Sequence, residues 1–323
     1  GSLDSGVSAM KAFTRGIEVI GNNIANVNTY GYKRQRTDYA DNFSQVFSKA
    51  SGNGGSAPTT NQVGTGSRVA STTTNFNQGD TTSTGIITDL AIYGEGFFVL
   101  VDPNNSAKYV TRAGNFGTDK NDYLLAPNGM RLQGLTGGAI NYTVTEVAGQ
   151  LVFTVASKTA PSAAGDMRAD FGLTVGGGLT VDSSVTSFNT AQIEAAAPQL
   201  DSFGFDTNGN LTMVLSDGAS FTKGKVLLTK FENPNALSKA GDNLFNNFDA
   251  AGPTGGTMTL SAANNTPGTN GLATFKTEAL ELSNVDLTNE FANLITTQRS
   301  FQAASRIITV SDDILQEVVN LKR

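Results

Sequence analysis

A chain of 323 residues with a net charge of −6, no cysteine and no histidine is long enough for two or three domains, and it lacks thiol nucleophiles, imidazole bases, disulfides and the common ligands of zinc and other transition metals. No basic stripe interleaves with aromatics, so a nucleic-acid groove is excluded and the acidity signals solubility. The 36 glycines among many Ser, Thr and Asn point to a β-rich, turn-rich middle, and no run approaches the ~20 apolar residues of a membrane span.

The start, Gly1-Ser2-Leu3-Asp4, carries neither the basic nor the apolar part of a signal peptide. That fits a cytosolic protein or one exported without a cleaved signal, and the lack of cysteine suits an extracellular destination. A helix is predicted over 3–25, with Leu3, Met10, Ile17 and Ile24 in one apolar column and Phe13, Ile20 and Val27 in a second. Asn22, Asn23, Asn26 and Asn28, followed by Gly31, end it. Next comes Tyr32-Lys33-Arg34-Gln35-Arg36, a basic, extended patch that physics alone reads as a solvated stretch. A short helix carrying Tyr39, Phe43, Val46 and Phe47 is predicted over 38–50, then a flexible linker over 51–66.

From Val69 to Gly134 short strands alternate with turns, and Leu90-Ala91-Ile92 and Phe97 to Val101 read as buried strands. Gly94-Glu95-Gly96 between them lacks the third glycine and the helix start of a phosphate loop, so it reads as a bend. Asn128-Gly129, Asn208-Gly209 and Asp217-Gly218 are hairpin signals. Leu135 to Leu200, with Gly176-Gly177-Gly178, has the texture of an inserted β subdomain. Asp206 to Asn210 looks faintly like a calcium loop but lacks the distant bidentate carboxylate. Leu211 to Leu215 and Lys225 to Leu228 are further strands, and 246–270 is loop-rich.

A long helix is predicted from about Ser283, with Leu287, Leu294, Phe301, Ile308 and Leu315 recurring every seven residues. The column four residues on, Phe291, Gln298, Ser305, Asp312 and Val319, is apolar only at its ends. Such a helix borrows partners. Full burial of each heptad residue is worth roughly 1.5–3 kcal/mol. The partner is either the first helix, in a pair capping a β domain, or other copies in an assembly. Isolated chains would expose both stripes, so the terminal segments are predicted to fold as they pack.

The fold class that follows is α+β and multidomain. Residues 1–34 and 283–323 form a coiled-coil-like helical polymerisation domain, 35–70 a helix and linker connector, 71–134 and 201–282 a β-rich middle domain, and 135–200 an inserted outer β domain. Each layer encloses the next along the chain. Helical stacking of such subunits would put the terminal helices at an inner tube and the insert at the outer surface.

Gly21-Asn22-Asn23-Ile24-Ala25-Asn26-Val27-Asn28-Thr29-Tyr30-Gly31-Tyr32-Lys33 resembles, nearly residue for residue, the N-terminal signature of the bacterial flagellar axial proteins, which build rod, hook and hook-associated segments. Ser283 to Leu287, Gln298-Arg299-Ser300-Phe301 and the ending Val319 to Arg323 resemble the paired C-terminal signature. Thr84 to Phe98, Thr111 to Phe116, Phe231 to Pro234 and Asn243-Leu244-Phe245 are similar to the family's β domain. Leu135 to Leu200 carries no recognised motif.

The resemblance implies a structural protein with no catalysis and no cofactor, exported unfolded through the type III apparatus and polymerised under a cap. The expected product is a homopolymeric tube of the extracellular bacterial flagellum, in contact with distal rod, hook cap and hook–filament junction proteins, without membrane insertion or nucleic acid. Thr37 to Phe43, the linker and the C-terminal ending favour the hook, a curved universal joint, over the straight distal rod. The implied polymerisation interface is Leu3, Met10, Phe13, Ile17, Ile20, Asn22, Asn23, Ile24, Asn26, Val27, Leu287, Phe291, Leu294, Phe301, Ile308 and Leu315. A carboxylate hydrolase finds no outstanding pair among the 28 Asp and Glu residues, and an adhesin-like binding module built on the insert is the other competing reading.

Overall fold

The computed structural model describes residues 2–42, 44–48 and 61–321, which form two compact units. The first unit comprises the described residues of 1–29, 33–77 and 283–323. Its first helix, Ser2–Ala25, ends where the Asn26 amide falls back on the carbonyls of Asn22 and Asn23. The last helix, Leu287–Leu321, starts four positions later than the sequence suggests. Asp286 accepts the amides of Thr288 and Asn289 as an N-cap does, and the residues before it are held extended by a contact described below.

Between the helices runs a β ribbon, and the described residues of the helix predicted over 38–50 form strand in its place. Gln35–Asp41 pairs antiparallel with Ser67–Thr74, from Gln35 opposite Thr74 to Asp41 opposite Ser67 with one shift after Asp38. Ser44–Ser48 pairs with Asn61–Gly64 beyond it. Tyr39, Phe43 and Phe47 are four apart, a spacing that both a helix and a strand place on one face, and the distant partner strand decides between them. Phe43 and residues 49–60, most of the predicted linker, lie outside the described residues; the part of it at Asn61–Gly64 is strand.

The second unit holds residues 30–32 and 78–282. Its main sheet has the order Leu200–Phe205, Asn210–Leu215, Ser220–Val226, Arg131–Thr136, Phe97–Val101, Lys108–Thr111, Leu244–Asn246, Ser238–Gly241. A four-stranded sheet is built from Gln150–Thr159, Ala139–Val147, Gly178–Val181 and Thr174–Val175. Both sheets line one buried cluster, in which Phe98, Leu132, Leu211 and Met213 of the first meet Tyr142, Val144 and Leu179 of the second, with Met167 between.

The hairpin signals close as read. Gly129, Gly209 and Gly218 take φ of 81°, 75° and 82°, values that L side chains rarely adopt. Asp206 spends its oxygens on the turn, accepting the amides of Asn208 and Asn210 and the Asn210 side chain. That accounts for the calcium-loop look of the segment by a turn. Gly94 to Gly96 is the bend between Leu90–Tyr93 and Phe97–Val101. Two crossed links brace the unit: Tyr142 donates to Asp217 at 2.6 Å, and the buried Arg112 guanidinium donates to the Gly94 carbonyl at 2.9 Å and faces Glu281.

Candidate assembly interface

The two helices of the first unit pack antiparallel. Asn23 reaches Glu290 at 3.1 Å, a Cβ on Gly16 would lie 3.5 Å from Thr297 Cγ2, and one on Gly6 would lie 2.9 Å from Ile308 Cγ1. Glycine at these points lets the backbones approach, and the buried residues shown along the seam are small: Gly6 and Gly16 on one helix, Ala304 on the other. On the last helix this face runs Glu290, Leu294, Thr297, Phe301, Ala304, Ile308, Ser311. The companion of the heptad column is therefore Glu290, Thr297, Ala304 and Ser311, and not the column through Phe291, Gln298 and Ser305. Small residues fill it because glycines stand opposite.

The ribbon covers another face of the first helix. Phe13 meets Tyr39 edge-on at 6.0 Å between ring centres, and a side chain on Gly16 would collide with the Tyr39 hydroxyl.

At the end of the seam lies a polar junction where the sequence suggested a solvated basic patch. Lys33 is 1% exposed, its ammonium donating to the Asn77 carbonyl at 2.8 Å. Glu290 is 0% exposed and holds the Arg34 guanidinium and the Asn23 amide. Asn23 also clasps the Gln35 backbone from both sides, donating to its carbonyl at 2.8 Å and accepting its amide at 3.0 Å. Asn284 accepts the Arg34 amide and donates to the carbonyls of Asn75 and Asn77, which is what keeps 283–286 extended. Burying a charge is tolerated only when it is paired and hydrogen-bonded, so Lys33 and Arg34 are spent on joining both helix ends to the ribbon, while Arg36 stays exposed beside Asp38.

The predicted interface residues divide accordingly. Leu294, Phe301 and Ile308 are half-buried on the face toward the first helix, and Leu3, Met10, Phe13, Ile17, Ile20, Ile24, Asn26 and Val27 are also half-buried. Asn23 is buried in the junction, Asn22 is exposed, and Leu287, Phe291 and Leu315 remain exposed.

A stripe that the sequence reading missed runs through Ile307, Val310, Ile314, Val318 and Leu321, all half or more exposed and rising to 87% at Leu321. At about 100° per residue it lies roughly 110° round the helix from the seam. Its three- and four-residue spacing was visible in the sequence beside the stricter heptad column. From Asp312 to Leu321 every residue is exposed, so among the described residues this part of the helix has no cover. No helix among them is long and apolar enough to cross a membrane.

Three family descriptions match: "Flagella basal body rod protein" over residues 3–33, "Flagellar hook protein FlgE/F/G D1 domain" over 91–194, and "Flagellar basal body rod FlgEFG protein C-terminal" over 276–321. The second takes in most of 135–200, where the sequence offered no motif. The flagellar basal-body rod protein FlgG of Bacillus subtilis is 35% identical over 324 residues, covering 100% of this chain and 99% of the relative. FlgG of Caulobacter vibrioides is 31% identical over 327 residues, with 99% of each covered. The flagellar hook protein FlgE of Borreliella burgdorferi is 28% identical over 451 aligned positions, again covering 99% of each.

Proposed function

The chain belongs to the flagellar rod and hook protein family, a structural subunit of the bacterial flagellum, and on that premise we propose that it builds the hook. In this reading it polymerises into a curved, flexible tube that carries motor torque to the filament as a universal joint, and it catalyses no reaction. The observation that carries assembly is the exposed stripe Ile307, Val310, Ile314, Val318 and Leu321. Full burial of each is worth roughly 1.5–3 kcal/mol, and the seam with the chain's own first helix leaves this face uncovered, so a second copy is the occupant. The polymerisation interface then comprises this stripe with Leu287, Phe291 and Leu315 and the outward parts of Leu3, Met10, Ile17 and Ile24.

The layout proposed with it puts the paired terminal helices innermost, 71–134 with 201–282 in the middle and 135–200 outermost. The tube would meet distal rod, hook cap and junction proteins at its ends, outside the cell, after export through the type III apparatus. Thr37 to Phe43, the linker after it and the C-terminal ending support the hook over the rod. The second reading, a distal rod subunit, is favoured by the 35% identity to a rod protein along the whole chain, and by hook relatives that need 451 aligned positions against 323 here. Electron microscopy of basal bodies and of tubes grown from the purified chain separates them. Curved, bendable tubes distal to the rod are expected; straight rigid ones would assign the rod, and no tube would return the binding-module reading.

A further inference from the structure

We propose that Glu290 sets the register in which the two terminal helices pair. The apolar column of the last helix cannot do so, because Leu287, Leu294, Phe301, Ile308 and Leu315 repeat at one spacing. A slide by one heptad exchanges each for a side chain of similar size. The first helix is equally repetitive, with Leu3, Met10, Ile17 and Ile24 in one column. The small column between is different. On the last helix it reads Glu290, Thr297, Ala304, Ser311, and on the first Ser2, Ala9, Gly16, Asn23. Each contains one residue that needs a polar partner, and they face each other.

In the pairing seen, the Glu290 carboxylate takes the Asn23 amide at 3.1 Å and the Arg34 guanidinium. Arg34 and Gln35 are fixed in turn through the backbone bonds to Asn284 and Asn23. A slide one way would bring Glu290 opposite Gly16, beside the neutral Tyr39 hydroxyl and away from the Arg34 guanidinium. A slide the other way would bring Thr297 opposite Asn23 and leave Arg34 without its carboxylate. The first slip takes the buried Glu290 carboxylate from its cation and the second takes the half-buried Arg34 from its carboxylate, both keeping the apolar contacts, so the polar junction discriminates between registers where the hydrophobic seam does not. This discrimination comes from the geometry of the helix pair and is the same whether the subunit builds hook or rod.

The chain has no cysteine of its own, so paired substitutions report register directly. Gly6→Cys with Ile308→Cys reads the observed pairing, since a Cβ at Gly6 would lie 2.9 Å from Ile308 Cγ1. Gly6→Cys with Phe301→Cys, and Gly6→Cys with Leu315→Cys, read a slip of one heptad in each direction. The full-length chain is oxidised both dilute and assembled, and intrachain bonds are identified by mass spectrometry of unreduced digests.

With Glu290 present the bond should form in the Ile308 pair alone. Adding Glu290→Leu should move bond yield to a slipped pair, whereas Glu290→Gln, which keeps an acceptor for Arg34 and Asn23, should hold the observed pair. Bonding at the Ile308 pair alone in Glu290→Leu would overturn the proposal. So would loss of every bond in that variant, which would make Glu290 a stabilising residue only, and so would a parent chain that never forms the Ile308 bond.

Discussion

The two units differ in whether large apolar side chains are among what they enclose. In the second, the fully enclosed side chains are large and apolar: Phe98, Leu100, Leu124, Leu132, Tyr142 and Leu211 lose all contact with solvent. In the first, what is enclosed is glycine, alanine and polar groups, namely Gly6, Gly16, Ala12, Ala304, Asn23, Lys33 and Glu290, while most large apolar side chains of the helices stay half or fully exposed. Removing apolar surface from water is the main favourable term in folding. The second unit therefore carries its own driving force. The first uses close backbone approach and paired charges to fix geometry, and leaves much of its hydrophobic surface exposed, the surface that the proposed assembly would cover.

The largest test of that contrast is a charge placed on the free stripe. Ile314 is 56% exposed, so Ile314→Asp should leave the isolated chain within about 0.5 kcal/mol of the parent, yet abolish polymerisation by burying an unpaired carboxylate between subunits. Phe301→Asp should also block assembly, but it faces the first helix and should unpair the two helices in the isolated chain, seen as lost helical signal in circular dichroism. Equal behaviour of the two variants in the isolated chain would dissolve the distinction between seam and stripe. Hydrogen exchange sharpens it further. Amides of 312–321 should exchange almost freely in the isolated chain and become protected in the polymer, whereas those of Phe97–Val101 should be protected in both.

Next in size is the core of the second unit. Phe98 stacks on Phe275 at 5.7 Å and meets Phe116 edge-on at 5.0 Å. Phe98→Ala should cost about 3–5 kcal/mol through lost burial and the cavity left behind, read as a lowered midpoint in urea. The matching truncation on the stripe, Val318→Ala, should hardly move that midpoint. A Phe98→Ala penalty no larger than that of Val318→Ala would mean that the second unit also depends on assembly.

The parts of the fold legible in sequence are those set by local chemistry. The glycines of the hairpins, the heptads of both helices and the apolar strands at 90–101 each announce themselves within a window of a few residues. The misreadings share one cause, a partner far along the chain. Residues 38–41 and 44–48 become strand because Ser67–Thr74 and Asn61–Gly64 pair with them. Lys33 is buried and Arg34 half-buried because Asn77 and Glu290 receive them, and Asn23 meets Glu290 across 267 positions. A carboxylate in the otherwise apolar or small face of a heptad helix was the available clue. The stripe through Ile307 and Ile314 was overlooked for another reason: it is a helix-period pattern of the ordinary kind, and the strict heptad column drew the reading to a different face.

The smallest predicted effect lies where the two sheets of the second unit are tied together. Tyr142 sits in Ala139–Val147 with its ring enclosed and donates to Asp217, which lies in the turn between Asn210–Leu215 and Ser220–Val226. Burial, and then the Asp217 carboxylate, push its phenol above the usual tyrosine range. The neutral phenol is thus favoured by folding. In the unfolded chain it ionises near pH ~10, so above that value the unfolded state sheds a proton that the folded state keeps. Its contribution to stability is complete below pH ~10 and declines as pH rises. Tyr142→Phe should cost about 0.5–1.5 kcal/mol near neutrality, and it should flatten the alkaline fall in stability, measured as urea midpoints between neutral pH and about pH 11. A variant whose midpoints fall as steeply as the parent's would show that the alkaline loss comes from elsewhere, and that the tie between the sheets is apolar packing around the ring and not the bond to Asp217.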